Sequence, residues 1–203
     1  MTAGARRTSL PIMTAARDRS PAATVAAVVV FAAFIAVLGI FPGIPLGATG
    51  VPVVLQNIGP LLAGALLGAR RGAGAVVLLL ALVAIGLPLL SGGRGGLAPF
   101  VGPSGGFLLG WVLSALVTGL IVQRAARPRL PVLLLACACG ILADYAVGIP
   151  FLAVYLGDAQ AALIGSLVFV PGDAAKVVAA ALVAALVHRA LPDRLGGAAV
   201  GGR

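Results

Sequence analysis

The chain has 203 residues, of which 61% are hydrophobic and only 9% charged, and its mean hydropathy is +1.17. No soluble domain of this length hides so much apolar surface behind so few charges, so the composition marks an integral membrane protein. The formal charge of +9 would suit nucleic acid, but the arginines stand in short clusters between apolar runs, as topology signals do, and not on one recognition surface.

Residues 1–20 are polar and carry Arg6, Arg7, Arg17 and Arg19. Arg6-Arg7-Thr8-Ser9-Leu10 has a faint likeness to a twin-arginine export signal. Apolar segments follow to the end of the chain, so the reading adopted is a disordered basic cytoplasmic tail. The first span, about 22–41, is long enough for a ~30 Å hydrocarbon core. It holds small residues at i, i+4 spacing, among them Ala32 and Ala36. Such a face serves either internal packing or the docking of another membrane protein. Pro42 to Gly50 is a loop by its Pro and Gly density. A second span is expected over about 52–69, with Gln56 and Asn57 near its start and Arg70-Arg71 behind it. The third is expected over 74–90, ending at Leu87-Pro88. A glycine-rich stretch then runs from Ser91-Gly92-Gly93-Arg94 to Phe107. It is too irregular to face lipid, so it lies in water or lines a protein cavity.

The fourth span, about 106–122, is followed by Arg124, Arg127 and Arg129; the fifth, about 131–155, contains Asp144 and Tyr145. Residues 157–172 read as a mixed loop with room for a short surface helix. The sixth span, about 173–191, ends in His188 and Arg189. Counting basic residues by connection supports this parse. The N-terminal segment has four, the second-to-third connection two, the fourth-to-fifth three and the C-terminal segment three arginines (Arg189, Arg194, Arg203), whereas the three opposite loops hold only Arg94. By the positive-inside rule the expected fold is an all-α membrane protein of six transmembrane helices with both termini cytoplasmic. The expected organisation is a tail over 1–20, a transmembrane substrate-binding domain over 21–192 and a flexible tail over 193–203.

That topology places the chemistry. Val170-Pro171-Gly172-Asp173-Ala174-Ala175-Lys176 contains the only lysine of the chain, three residues after Asp173, so the two side chains share a helix face. An acid and a base at membrane depth are costly and usually functional. Asp173 has a structural alternative as a helix N-cap. Gln56, Arg94 and the glycine-rich loop fall on the outer side, and Asp144 lies just past the midplane towards it, so polar groups converge on an outward-open pocket. For Gln56, helix packing and ligand contact both stay open. Asp144 and Tyr145 serve either interhelical bonding or ligand contact, and Arg94 either faces solvent or closes over an anionic tail.

Several chemistries are excluded. The lone lysine follows Asp-Ala-Ala and not a glycine-rich loop, so this chain has no Walker A site and does not hydrolyse ATP itself. One histidine and two cysteines cannot build a zinc site, because Cys137 and Cys139 point about 200° apart on a helix. Those cysteines read as small buried hydrophobes. His188 is at the opposite end from the polar cluster, which excludes a Ser-His-Asp set. No enzyme, no cofactor and no metal is expected.

Three motifs resemble the BioY family, the biotin-binding S components of energy-coupling-factor (ECF) vitamin transporters. Val51-Pro52-Val53-Val54-Leu55-Gln56 resembles the family's P-V-T-L-Q; Gly86-Leu87-Pro88, the glycine-rich loop and Gly102-Pro103-Ser104-Gly105-Gly106-Phe107 resemble its G-L-P…G-G…G-P-T-G-G-Y-L; Pro171-Gly172-Asp173-Ala174-Ala175-Lys176 matches its P-G-D-x-x-K. The three occur in the right order over nearly the whole chain after residue 20. Val54 and Phe107 stand where the family has threonine and tyrosine, so neither is assigned a polar ligand contact, whereas Ser104 keeps the hydroxyl.

The resemblance implies high-affinity capture of biotin and its uptake across the cytoplasmic membrane by a multi-pass component. Asp173, Lys176, Arg94, Gln56, Ser91, Gly92, Asp144 and Tyr145 are then the ligand-facing candidates. Asp173 would accept from the ureido N–H groups and Lys176 would donate to a carbonyl or carboxylate oxygen. The implied partners, besides lipid, are a transmembrane coupling subunit docked on the Ala32/Ala36 face and two ATPase subunits, the only users of ATP; no nucleic acid is expected. An S component for another vitamin, a solitary biotin transporter and a non-transport membrane scaffold stand as alternatives.

Overall fold

The computed structural model describes residues 20–45 and 49–191. The expected basic tail, and all of the expected C-terminal tail, lie outside the described residues, apart from Ser20. Every long element is an α-helix: α1 (Pro21–Leu38), α2 (Ile58–Leu67), α3 (Ala69–Ala84), α4 (Ala98–Val101), α5 (Gly105–Arg124), α6 (Leu130–Leu156), α7 (Ala159–Ser166) and α8 (Val170–Ala190). Two short strands, β1 (Ile44–Pro45) and β2 (Pro52–Val53), pair antiparallel, and a 3-10 turn, Leu167–Phe169, joins α7 to α8. Helices α1, α5, α6 and the continuous helical stretch Ala159–Ala190 are each long and apolar enough to cross a membrane.

The expected second span is the element that the structure changes most. Residues 52–69 are not one helix. They begin as a strand, turn at Leu55–Asn57 and become helical only over ten residues, about 15 Å at 1.5 Å per residue. The run Val51-Pro52-Val53-Val54 explains this: β-branched residues and a proline favour extended backbone. The short helix is nonetheless the centre of the bundle. Eight of its ten residues are buried, and it packs against α1, α3, α5, α6 and α8. Because α2 stops short of full length, space is left beyond its N-terminus, and the other helices wall that space.

Gly68, at φ +82°, reverses the chain from α2 directly into α3, so Arg70 and Arg71 lie in the first turn of α3, not in a free loop. The mixed loop expected over 157–172 is mostly helical. Asp158 caps α7 by accepting from Ala161 N at 2.9 Å, and α8 begins at Val170, three residues before the expected start.

Helices α5 and α6 form the most intimate pair, and glycines allow it. A side chain at Gly110 would collide with Asp144, and one at Gly140 with Thr118. Small residues permit the close approach that replaces a hydrophobic driving force inside lipid. Thr118 Oγ1 also donates to Ala136 O at 3.2 Å across the pair. At the arginine-rich end, Gln123 Oε1 accepts from Ala69 N, and His188 Nε2 lies 3.0 Å from Ala65 O. Arg70, Arg71, Arg124, Arg129 and Arg189 therefore gather at one end of the bundle, and the cavity beyond α2 opens at the other.

On α1 the inward face is Ala32 and Ile35, at 3% and 0% exposure. Ala32 packs in the core with Val76, Leu79 and Ala115, and Ala36 is half-buried. The expectation that Ala32 and Ala36 form a partner-docking face is corrected for Ala32, which is covered by this chain's own helices. The outward face of α1 carries Val25, Val30 and Val37 instead.

Candidate functional site

The cavity beyond α2 is lined by the β2 segment (Val51 to Val54), Gln56 and Asn57, Arg94 and Ser104, Phe107, Leu108 and Trp111 of α5, Asp144 and Tyr145 of α6, and Phe169, Asp173 and Lys176. About 530 Å³ of unfilled space lies within it, its open mouth included. Apolar side chains and several convergent polar groups share its wall, the usual make-up of a small-molecule site.

Asp173 is the hub of its polar side. Its Oδ1 accepts from Lys176 Nζ at 2.8 Å and from Asn57 Nδ2 at 3.0 Å, and its Oδ2 accepts from Tyr145 OH at 2.6 Å. The acid and base are both nearly buried, with side chains 5% and 10% exposed. Position explains the cluster. Asp173 and Lys176 are one turn apart on α8, Tyr145 faces them from α6, and Asn57 ends the turn that leads into α2. The capping reading of Asp173 fails, because α8 starts earlier and Asp173 is its fourth residue, with its carboxylate turned to other helices. Asn57, an ordinary helix-capping type, likewise makes no cap bond and gives its amide to Asp173.

Gln56 is wholly buried and tied to backbone. Its Nε2 donates to Ile35 O at 3.0 Å and Leu89 O at 2.8 Å, and its Oε1 accepts from Ser91 N at 3.1 Å. One side chain therefore fastens α1, the turn before α2 and the glycine-rich loop together. Arg94 projects from that loop. Its Nε donates to Ser91 O at 3.1 Å and its Nη1 to Ser104 Oγ at 3.4 Å, which leaves guanidinium donors free beside the cavity. Half-burial lowers its pKa from the ordinary arginine value, yet a guanidinium stays protonated in proteins. Gly92 and Gly93, at φ +80° and +69°, make the tight turn that aims Arg94 inward.

The sequence-expected residues thus divide. Asp173, Lys176, Arg94, Gln56, Asp144 and Tyr145 come together around one cavity. Ser91 and Gly92 do not line it: Ser91 is buried behind Arg94, and Gly92 borders a separate apolar groove with Ala36 and Pro88. Asn57, Leu108, Trp111 and Phe169 also line the cavity and were not singled out by sequence as ligand-facing. Asn57 carries a polar signal beside Gln56 in an apolar run. Trp111, the single tryptophan, gives none beyond its scarcity. Phe107 packs edge-on against Tyr145 and Phe169, at centroid distances of 6.4 and 5.9 Å, and so builds an aromatic wall where the related motif has tyrosine.

Residues 9–193 match the model of the BioY family. A protein of Rhizobium etli named biotin transporter BioY is 46% identical over 170 residues, covering 80% of this chain and 91% of the relative. One of the same name from Rhodobacter capsulatus is 50% identical over 179 residues, covering 81% and 93%. A 2.1 Å crystal structure of the S-component for biotin from an ECF-type ABC transporter matches with a TM-score of 0.77 at 34% identity, over 82% of this chain and 90% of that one.

Proposed function

The chain belongs to the BioY family, and from that premise we propose that it captures biotin in the cavity beyond α2 as the substrate-specific component of an ECF-type transporter. The observation that carries this reading is the Asp173–Lys176 pair, nearly buried and bonded to Asn57 and Tyr145, in the wall of a cavity that also carries the aromatic side chains of Phe107, Trp111 and Phe169. A membrane protein keeps such a pair at depth when a ligand needs it.

Biotin supplies matching chemistry. Its fused rings are apolar and suit the wall of Phe107, Trp111 and Phe169. Its ureido carbonyl accepts hydrogen bonds, and Lys176, whose ammonium has three donors of which one is used, can give one. Its carboxylate tail suits the free donors of Arg94, since guanidinium–carboxylate bonds are among the stronger charge-assisted ones.

Orientation follows from charge. The arginine-rich end of the bundle faces the cytoplasm and the cavity faces outward, with six membrane passages: α1, the β2–α2 segment, α3, α5, α6 and α8. The membrane is the cytoplasmic one. A coupling subunit and two ATPase subunits supply the energy, and ATP is used only there.

The test is uptake of labelled biotin at nanomolar concentration in cells that lack their own uptake system. Cells making this chain together with ECF partner subunits accumulate label, and Asp173→Ala cells do not. Equal accumulation by the wild-type and Asp173→Ala cells would remove the reading. Full uptake without the partner subunits would show a solitary transporter.

A further inference from the structure

The arginine-rich end of the bundle carries a charge that no described carboxylate answers. The carboxylates among the described residues are Asp144, Asp158 and Asp173. Asp144 and Asp173 lie on the cavity, and Asp158 caps α7 just beyond the far end of α6. The one ion pair among the described residues joins Lys176 to Asp173. Arg70, Arg71, Arg124, Arg127, Arg129 and Arg189 therefore have no acidic partner among them. A topology signal explains on which side of a membrane arginines stand. It does not explain where along a helix they stand.

Two of them stand where a helix least favours a cation. Arg70 and Arg71 are the second and third residues of α3, at the positive end of its dipole. Its N-cap, Gly68, makes no side-chain cap bond. Gln123 Oε1 accepts from Ala69 N at 3.3 Å, and the next two amides have no intrahelical acceptor. Gln123 lies in the last turn of α5, so Arg124 stands beside the same reversal. Three arginines and a helix N-terminus thus meet at one contact between α3 and α5, an arrangement that an external anion stabilises.

We propose that this contact seats an anionic phospholipid, with Arg70, Arg71 and Arg124 holding its phosphate-bearing headgroup and the outer faces of α3 and α5 holding its chains. The surface above the arginines favours a lipid over a soluble acidic partner. On α5, Leu109, Leu113 and Leu120 are exposed and share one helix face with Arg124. On α3, Val77 is exposed about two turns above Arg70, which is itself exposed. Each helix thus presents an apolar strip that ends in a cation, and a phospholipid carries acyl chains and a phosphate on one molecule. An acidic protein docked on this end would meet the arginines and leave the strips uncovered. On the orientation proposed above, the lipid belongs to the inner leaflet. The inference does not depend on what the cavity holds.

The experiment places the purified full chain in phosphatidylcholine nanodiscs that contain spin-labelled phosphatidylglycerol or spin-labelled phosphatidylcholine, and reads the fraction of label immobilised on the protein. Phosphatidylglycerol is expected to associate about fivefold or more strongly than phosphatidylcholine, the contribution of a single arginine at a bilayer surface. Changing Arg70, Arg71 and Arg124 together to alanine brings that ratio to within about twofold of one, and changing them to lysine keeps most of it. Changing Arg127, Arg129 and Arg189 together to alanine, an equal loss of charge at the same end, also leaves most of it. Equal losses in the two alanine triples would show diffuse attraction by net charge and overturn the seat. A wild-type ratio within about twofold of one would overturn it too, and leave the arginines to an acidic protein surface. Inorganic phosphate at matched ionic strength is expected to leave the ratio unchanged; displacement of the lipid by it would assign the contact to free phosphate and overturn the lipid. Should the first alanine triple not fold, the wild-type, lysine and phosphate arms still decide.

Discussion

Asp173 and Lys176 are held in place by each other, so the polar cluster of the cavity responds asymmetrically when one member is lost. Lys176→Ala removes the one cation bonded to a buried carboxylate, a change of about 3–5 kcal/mol for buried pairs. The expected outcome is loss of biotin binding by about a hundredfold or more, read by titration, while Lys176→Arg restores part of it. Asp173→Asn keeps the shape but removes the charge that holds Lys176 and the Tyr145 hydroxyl, and is expected to weaken binding to a similar extent. Arg94→Ala removes a charge-assisted donor near the mouth of the cavity, and with it about 1.5–3 kcal/mol. Its effect is expected on biotin and to be nearly absent for the biotin methyl ester, which carries no anionic tail. An equal loss for both ligands would show that Arg94 shapes the loop without meeting the carboxylate. Of the contacts in this cluster only the one between Asp173 and Lys176 is legible in the sequence, because helical spacing alone puts residues three apart on one face. Asn57 lies 116 positions from Asp173 and Tyr145 lies 28, and no local rule sets the distance between helices.

Among the elements, α2 decides the architecture, and it is where apolar patterning misled. A run of apolar residues over 52–69 reads as a span, but hydropathy counts apolarity and not conformation. The valines and proline at its head favour a strand, and the helix that follows is short enough to leave a cavity above it. The same shortness explains why Gln56 is wholly used by structure: the turn before α2 has to be fastened to α1 and to the loop carrying Arg94. Gln56→Ala is expected to destabilise the fold by about 1–3 kcal/mol, because two carbonyls and one amide N–H lose their buried partner. A lower melting temperature in detergent checks this, and biotin affinity falls with it as Arg94 loses its support. Gly68→Ala tests the reversal between α2 and α3. A side chain at φ +82° is strained by about 1–2 kcal/mol, and its Cβ would also collide with Gln123. Lower stability with unchanged affinity is the expected pair of results, since Gly68 lies at the far end from the cavity.

For the whole molecule, the spacing of arginines is the most informative signal in the sequence. Clusters at every second connection mark helix ends, and Arg70, Arg71, Arg124, Arg129 and Arg189 gather at one end of the bundle. Which helices touch was not legible, because patterning this uniformly apolar marks no face. The centre of the bundle is accordingly the least conspicuous segment, and Ala32, legible only as a small residue, faces inward. The proposed orientation makes a direct prediction. In a background with Cys137 and Cys139 changed to alanine, a cysteine replacing Gly92 is labelled in intact cells by a membrane-impermeant thiol reagent, and one replacing Arg127 is labelled only after the membrane is opened. The reverse pattern would invert the molecule and put the cavity on the wrong side for capture. Whether the cavity beyond α2 is a biotin site is decided by titrating the purified protein with biotin. The expected dissociation constant is below about 1 μM, equivalent to about −8 kcal/mol, with binding abolished in Lys176→Ala; the absence of binding in that range by folded wild-type protein would contradict the assignment.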